Sequence, residues 1–296
     1  MDVMVTGGTG FIGTHLCREL DERGHDVTAL SRHPEGADLP DSVETVVGDV
    51  TAYDSVSDAI EGHDAVVNLV ALSPLFQPKD GDDRHREVHL GGTENVVAAA
   101  AEAGLDYILQ LSALGADAEG DTAYIRAKGA AEDVVRNSDL AYTIVRPSVV
   151  FGEGGEFVAF TKQLTTPYVT GLPGGGRTRF QPIWVGDIAA LLADAVEDDE
   201  HWGQTYDIGG PDVLTLGDVT RMVYRAEGKS VRILPVPMPL AGIGMRLADP
   251  LPFVPFGTDQ YRSLKFDNTV RDNDVTAFGV DPSELQTLAD YLGLND

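Results

Sequence analysis

The sequence predicts an α/β fold, a doubly wound parallel sheet with a smaller C-terminal lobe, and three observations lead there. Apolar strand-like runs recur at Asp2–Thr6, Asp26–Ser31, Val43–Val47, Ala65–Val70, Tyr107–Ser112 and Tyr142–Val145. Helical stretches separate most of them, at Thr14–Arg23, Tyr53–Glu61, roughly Asp83–Ala103 and Ala123–Asn137. Apolar strands alternating with helices describe a parallel sheet covered on both faces. The third observation is the opening segment, where the first strand runs straight into Gly7-Gly8-Thr9-Gly10-Phe11-Ile12-Gly13 and then a helix.

That opening has a specific chemistry. Glycines at 7, 10 and 13 let the chain turn tightly, approach a pyrophosphate closely and pack the next helix on the sheet. The free N–H groups and positive dipole end of the helix that follows then hold the phosphates, and Gly7, Thr9, Gly10, Phe11, Ile12 and Gly13 of the turn are the candidate cofactor-binding residues. Strand, glycine turn and helix in this order make a Rossmann-type dinucleotide site rather than a merely structural turn.

After Pro147 the pattern loosens into glycine- and proline-rich sequence that includes Gly171–Gly176. A helix starts near Asp187, a residue that suits a cap, and a strand near Gln204–Ile208 returns to the sheet. The expected division is a dinucleotide-binding core over 1–150, completed by about 182–210, and a small lobe from 151–181 and 211–296. The glycine pairs near 154, 174 and 209 read as turns. The apolar stretch Ile233–Met245 is broken by Pro235, Pro237 and Pro239 and is too short for a membrane span.

Composition narrows the class. A chain of 296 residues with 43% hydrophobic content can bury a large core. One cysteine, Cys17, excludes an internal disulfide framework and points to a reducing compartment, and no charged-then-apolar leader precedes the first strand. The expected location is the cytoplasm, with peripheral contact at the inner face of the membrane as a further option. Acidic residues outnumber basic ones 48 to 21, for a formal charge of −27. Such a surface repels nucleic acid and anionic lipid. The acid is spread along the chain, and self-repulsion of this strength is relieved by salt, so a halophilic source is expected.

Candidate site residues cluster at the carboxyl ends of the strands. After the second strand, Ser31 precedes Arg32, where an NAD-preferring protein would carry an acid for the ribose hydroxyl. A guanidinium suits a 2′-phosphate, which favours NADP(H) over NAD(H); the alternative is a solvated surface arginine. Asp49, followed by Val50, is placed either to accept from an adenine amino group or to cap the next helix. Asn68 to Ala71 ends the fourth strand on the same edge, and Pro147 ends the sixth. Ser112 ends the fifth strand, and Tyr124 and Lys128 follow, four apart on one helix face. A phenol has a pKa of about 10, which a neighbouring ammonium would lower. Ser112 could then hold a substrate oxygen while Tyr124 passes it a proton. His85 and His89 also stand four apart, but no third ligand accompanies them and no metal is expected.

Together, the glycine turn, Ser112, Tyr124/Lys128 and Arg146-Pro147-Ser148-Val149-Val150-Phe151-Gly152 resemble the extended and atypical short-chain dehydrogenase/reductases. The segments Leu111–Ala116, Tyr124–Glu132, Gln181–Ile188, Phe278-Gly279-Val280 and Leu285–Leu292 are similar to the branch that holds the nucleotide-binding accessory subunit of respiratory complex I and its stand-alone prokaryotic relatives. The resemblance implies bound NADP(H), a C-terminal substrate lobe and either turnover or a structural nucleotide. It also implies an asparagine of the proton relay where this chain carries His89.

Three functions follow as expectations. The first is NADP(H)-dependent hydride transfer, with Ser112, Tyr124 and Lys128 as catalytic residues and a small apolar carbonyl or quinone as substrate, the apolar segment Val231–Phe256 favouring such a ligand. The second is a non-catalytic NADPH-binding subunit or redox sensor with a protein partner in a respiratory complex. The third is a sugar-nucleotide epimerase or dehydratase.

Overall fold

The computed structural model describes residues 1–75, 78, 81–242 and 258–295. They divide into two compact units. One comprises Met1–Leu72, Asp82–Pro147 and Val185–Tyr206, the other Ser73–Gly81, Ser148–Trp184 and Asp207–Asp296.

The first unit is built on a seven-stranded sheet. Its strands are β1 (Asp2–Thr6), β2 (Asp26–Ser31), β3 (Glu44–Val47), β4 (Ala65–Asn68), β5 (Tyr107–Leu111), β6 (Ala141–Pro147) and the strand Gln204–Ile208. Their order is Gln204–Ile208, β6, β5, β4, β1, β2, β3, and every ladder among β1 to β6 is parallel. This is the Rossmann-type α/β arrangement. On one face the register partners Met4, Val66 and Ile108 pack with Val56 and Ile60 of helix Tyr53–Ile60, Val96 and Ala100 of helix Gly92–Ala103, and Val135 of helix Ala123–Arg136. Helices Phe11–Glu22 and Val185–Glu197 are clasped together by Arg23, which reaches Asp194 at 2.6 Å and Glu197 at 2.7 Å. Asp187 lies in the first turn of the latter helix, where negative charge complements the dipole.

Two elements differ from the sequence pattern. The first helix starts at Phe11 rather than Thr14, so the glycine turn feeds it directly. The expected helix over 83–103 is α-helical at Asp83–His85, π-helical at Arg86–Gly91 and α-helical again at Gly92–Ala103. A π turn inserts one residue, which rotates all that follows by about 100° relative to a regular helix. Thr93 closes the disturbed turn by donating its hydroxyl to the His89 carbonyl at 2.7 Å.

The second unit pairs short strands: Val150–Phe151 with Ile183–Trp184, Arg179–Phe180 with Leu214–Thr215, and Tyr168–Pro173 with Val231–Val236. Helix Leu216–Ala226 begins with a Thr215/Asp218 capping box and contributes Val219 and Val223 to a core with Phe151, Phe157 and Leu288. Of the apolar segment Val231–Phe256, residues 243–256 lie outside the described residues. No described helix is long and apolar enough to cross a membrane.

Candidate nucleotide and proton-transfer site

The glycine turn makes a tight cradle. Gly7 takes φ 76° and hangs from β2 through its N–H to Leu30 O at 2.8 Å. A Cβ at Gly13 would sit 2.2 Å from Gly7 O, so only glycine lets this helix approach the turn so closely. Gly10 caps the helix with no side-chain hydrogen bond, and the N–H groups of Phe11, Ile12 and Gly13 precede the first intrahelical donor, Thr14. These three donors meet no backbone acceptor of their own helix. Thr9 and Gly10 border them, half-buried and exposed. This cradle fits a pyrophosphate.

One strand over, the Ser31 hydroxyl is buried with no hydrogen-bond partner among the described residues. Arg32 beside it is exposed and joins no ion pair among the described residues. Asp49 accepts from Thr51 N at 3.0 Å and Thr51 Oγ1 at 2.8 Å, a local turn of the capping kind. Burial pushes the Asp49 carboxyl up, but the Thr51 hydrogen bonds and the charges of Arg32 and Arg84 outweigh it and hold it below its usual value. Ser31, Arg32 and Asp49 are therefore neighbours on one rim. Val50 is different: its side chain is core and its carbonyl accepts from Asn95 at 2.8 Å.

Asn68 belongs to the sheet. Register aligns Thr6, Asn68 and Gln110 across β1, β4 and β5. Thr6 Oγ1 donates to Asn68 Oδ1 at 2.7 Å, and Asn68 Nδ2 donates to Gln110 at 2.9 Å and Thr93 at 3.1 Å. Both amide hydrogens are thus held inside the protein. Ala71 is exposed beyond the strand, and the Pro147 carbonyl accepts from Leu114 N at 3.1 Å.

The Ser112, Tyr124 and Lys128 trio comes with three further residues that the pattern reading missed. Ser112 donates to Glu132 Oε1 at 2.5 Å. Glu132 is also gripped by Arg146, Nε to Oε1 at 2.8 Å and Nη2 to Oε2 at 2.5 Å, and by Arg136 at 2.7 Å. Its side chain is 1% exposed. Burial pushes its carboxyl up, and the Arg146 and Ser112 hydrogen bonds with the Arg146 charge reverse that, holding it ionised. The signal was spacing: 124, 128 and 132 share one helix face. The hydroxyl hydrogen of Ser112 is therefore directed at Glu132, not outward as a donor to a substrate oxygen.

Lys128 is buried and donates to Leu111 O at 2.9 Å, next to Ser112. Burial lowers its pKa to about 8, against the pull of Glu132. Tyr124 is half-buried, its ring edge-on to His85 and His89, and burial pushes its phenol well above the usual range. Its hydroxyl makes no hydrogen bond to any described residue, in contrast to Ser112 and Lys128.

A family model described as NAD(P)H-binding matches residues 7–199. The chain belongs to this NAD(P)H-binding family. It is 29% identical over 288 residues to the mitochondrial NADH dehydrogenase [ubiquinone] 1 alpha subcomplex subunit 9 of Arabidopsis thaliana, covering 91% of this chain and 71% of that one. It is likewise 29% identical over 265 residues to the chloroplastic divinyl chlorophyllide a 8-vinyl-reductase of Oryza sativa subsp. indica, covering 84% of this chain and 64% of the reductase. A short-chain dehydrogenase/reductase superfamily protein from Agrobacterium tumefaciens, solved with bound NAD, superposes with TM-score 0.74 at 18% identity over 100% of this chain and 95% of its own. That last likeness is one of fold. The protein thus combines a Rossmann-type α/β fold with membership of an NAD(P)H-binding family.

Proposed function

We propose that this protein is an NADP(H)-dependent oxidoreductase that reduces an apolar carbonyl or a quinone-like substrate, with Tyr124 as the proton donor. The observation that carries this reading is the Tyr124 hydroxyl, which has no hydrogen-bond partner among the described residues, whereas the Ser112 hydroxyl and the Lys128 ammonium are held. The nucleotide supplies a hydride at its nicotinamide when bound. The glycine turn Gly7–Gly13 holds its pyrophosphate, and Ser31 with Arg32 receives a 2′-phosphate. Asp49 serves the adenosine end, and Pro147 and Ala71 border the other.

A phenol raised by burial stays protonated near neutrality, so Tyr124 works as an acid, the role needed in the reducing direction. Lys128, anchored at Leu111 O, keeps two further N–H donors for ribose hydroxyls; the lowering of the Tyr124 phenol that a neighbouring ammonium would bring is not found, because burial dominates. Glu132 and Arg146 position Ser112. The apolar character of the substrate is supported by the apolar segment Val231–Phe256 and by the name of the rice relative, a divinyl chlorophyllide a 8-vinyl-reductase.

A second reading has its own support: relatives from Arabidopsis and Neurospora crassa are named as subunits of the NADH–ubiquinone enzyme. There the nucleotide would be held, not consumed, and the protein would sit in a respiratory complex, cytoplasmic and peripheral to the membrane. Nucleotide analysis of the purified protein, followed by a panel of carbonyls and quinones, separates the two. Steady NADPH oxidation by one member supports the enzyme. A tightly held NADPH that no member oxidises supports the subunit.

A further inference from the structure

Among the described polar groups around Tyr124, the side chains of Ser112 and His89 differ in what they can still offer a ligand. Ser112 sends its hydroxyl hydrogen to Glu132 and so offers only lone pairs to a ligand. His89 is 2% exposed, sits in the π-helical stretch Arg86–Gly91, and meets Tyr124 edge-on with ring centroids 5.2 Å apart. Its Nε2 accepts the Leu72 N–H at 3.0 Å, which puts the hydrogen of the neutral ring on Nδ1. That Nδ1 is buried and has no hydrogen-bond partner among the described residues. Buried donors of this kind are rare in native proteins because desolvation goes uncompensated. The ring is also kept neutral: burial, then the charges of Lys128 and His85, lower its pKa well below the ordinary imidazole range.

We infer that His89 donates its Nδ1–H to the reacting oxygen of a carbonyl or quinone substrate, taking the donor role that Ser112 gives up to Glu132. This rests on the reading of Tyr124 as the proton donor. With the electron pair delivered to the carbonyl carbon by the reduced nicotinamide nucleotide, the C=O π pair moves onto oxygen. The Nδ1–H bond stabilises the negative charge there, and Tyr124 transfers its proton to that oxygen and is later reprotonated from water. A neutral imidazole polarises the oxygen without competing to protonate it.

The test uses phenanthrenequinone as the probe. Asparagine carries an N–H close to the place of Nδ1, and leucine carries none. His89→Leu lowers kcat/KM about a hundredfold, His89→Asn recovers most of it, and the NADPH dissociation constant changes in neither. Independently, in protein with isotope-labelled histidine loaded with NADP+, where no turnover occurs, the Nδ1–H proton resonance of His89 moves downfield on adding the quinone. Equal losses in His89→Leu and His89→Asn overturn the inference, as does an Nδ1–H signal unmoved at saturating quinone. A quinone that moves this signal but is never reduced upholds the His89 contact and overturns the Tyr124 reading instead.

Discussion

Lys128 is a buried ammonium, and replacing it with methionine should stabilise the nucleotide-free protein. Its pKa falls from 10.5 to about 8 on folding, so the charged form is disfavoured inside. At about 1.36 kcal/mol per unit, burying the charge near neutrality costs about 3 kcal/mol. Lys128→Met keeps the volume and orphans nothing, because Leu111 O still accepts from Gln110 Nε2 at 3.2 Å and Glu132 keeps Arg146, Arg136 and Ser112. The sign follows from proton counting. Between pH 8 and 10.5 the unfolded lysine is charged and the folded one neutral, so the unfolded state binds more protons and wild-type stability rises with pH. Denaturant unfolding of both proteins at about pH 7 and about pH 10 therefore shows Lys128→Met more stable by up to about 3 kcal/mol at the lower pH, with the gap closing at the higher. Cys17, whose thiol burial raises to about 12, pulls the other way, but it is common to both proteins and cancels in the difference. Two parallel pH profiles would mean that burial of the Lys128 charge costs the folded protein nothing.

Further outcomes follow from the same geometry. Arg32→Ala, which removes an exposed guanidinium with no ion pair among the described residues, should weaken NADPH binding by about 2 kcal/mol, roughly thirtyfold, and leave NADH binding nearly unchanged in fluorescence titrations. Gly13→Ala forces a Cβ to within 2.2 Å of Gly7 O, so the turn must open; calorimetry should show nucleotide affinity lost by at least about tenfold while the far-ultraviolet circular dichroism stays native. With a formal charge of −27, Tm should rise by several degrees between dilute and molar salt, and a protein equally stable in both would remove the case for halophilic adaptation.

The parallel sheet and the glycine turn were readable in the sequence because each is written locally, as apolar runs and as glycines at fixed offsets. The clasp of Ser112, Glu132 and Arg146 was not, since it joins β5, a helix and β6 and exists only once the strands are in register. The position of Asn68 at the end of β4 is legible in the sequence, whereas its bonds to Thr6 and Gln110 across the neighbouring strands exist only in register. The same holds for His89. Its spacing from His85 looks like an ordinary helical pair, and the inserted π turn that sets it against Tyr124 leaves no mark in a 3.6-residue period. The acidic surface was legible from composition alone, whereas the identity of the substrate is not written in any local pattern.

In the proposed reaction the bound nucleotide is consumed, with Tyr124 supplying the proton. A single-turnover measurement tests it most directly: the NADPH-loaded protein is mixed with a quinone or carbonyl taken from the panel, and oxidation of the nicotinamide is followed by absorbance in wild type and Tyr124→Phe. One equivalent of NADPH should be oxidised per wild-type chain, with a rate slower by about a hundredfold or more in the variant. NADPH that stays reduced in the wild type, or a Tyr124→Phe protein that keeps the wild-type rate, would contradict it.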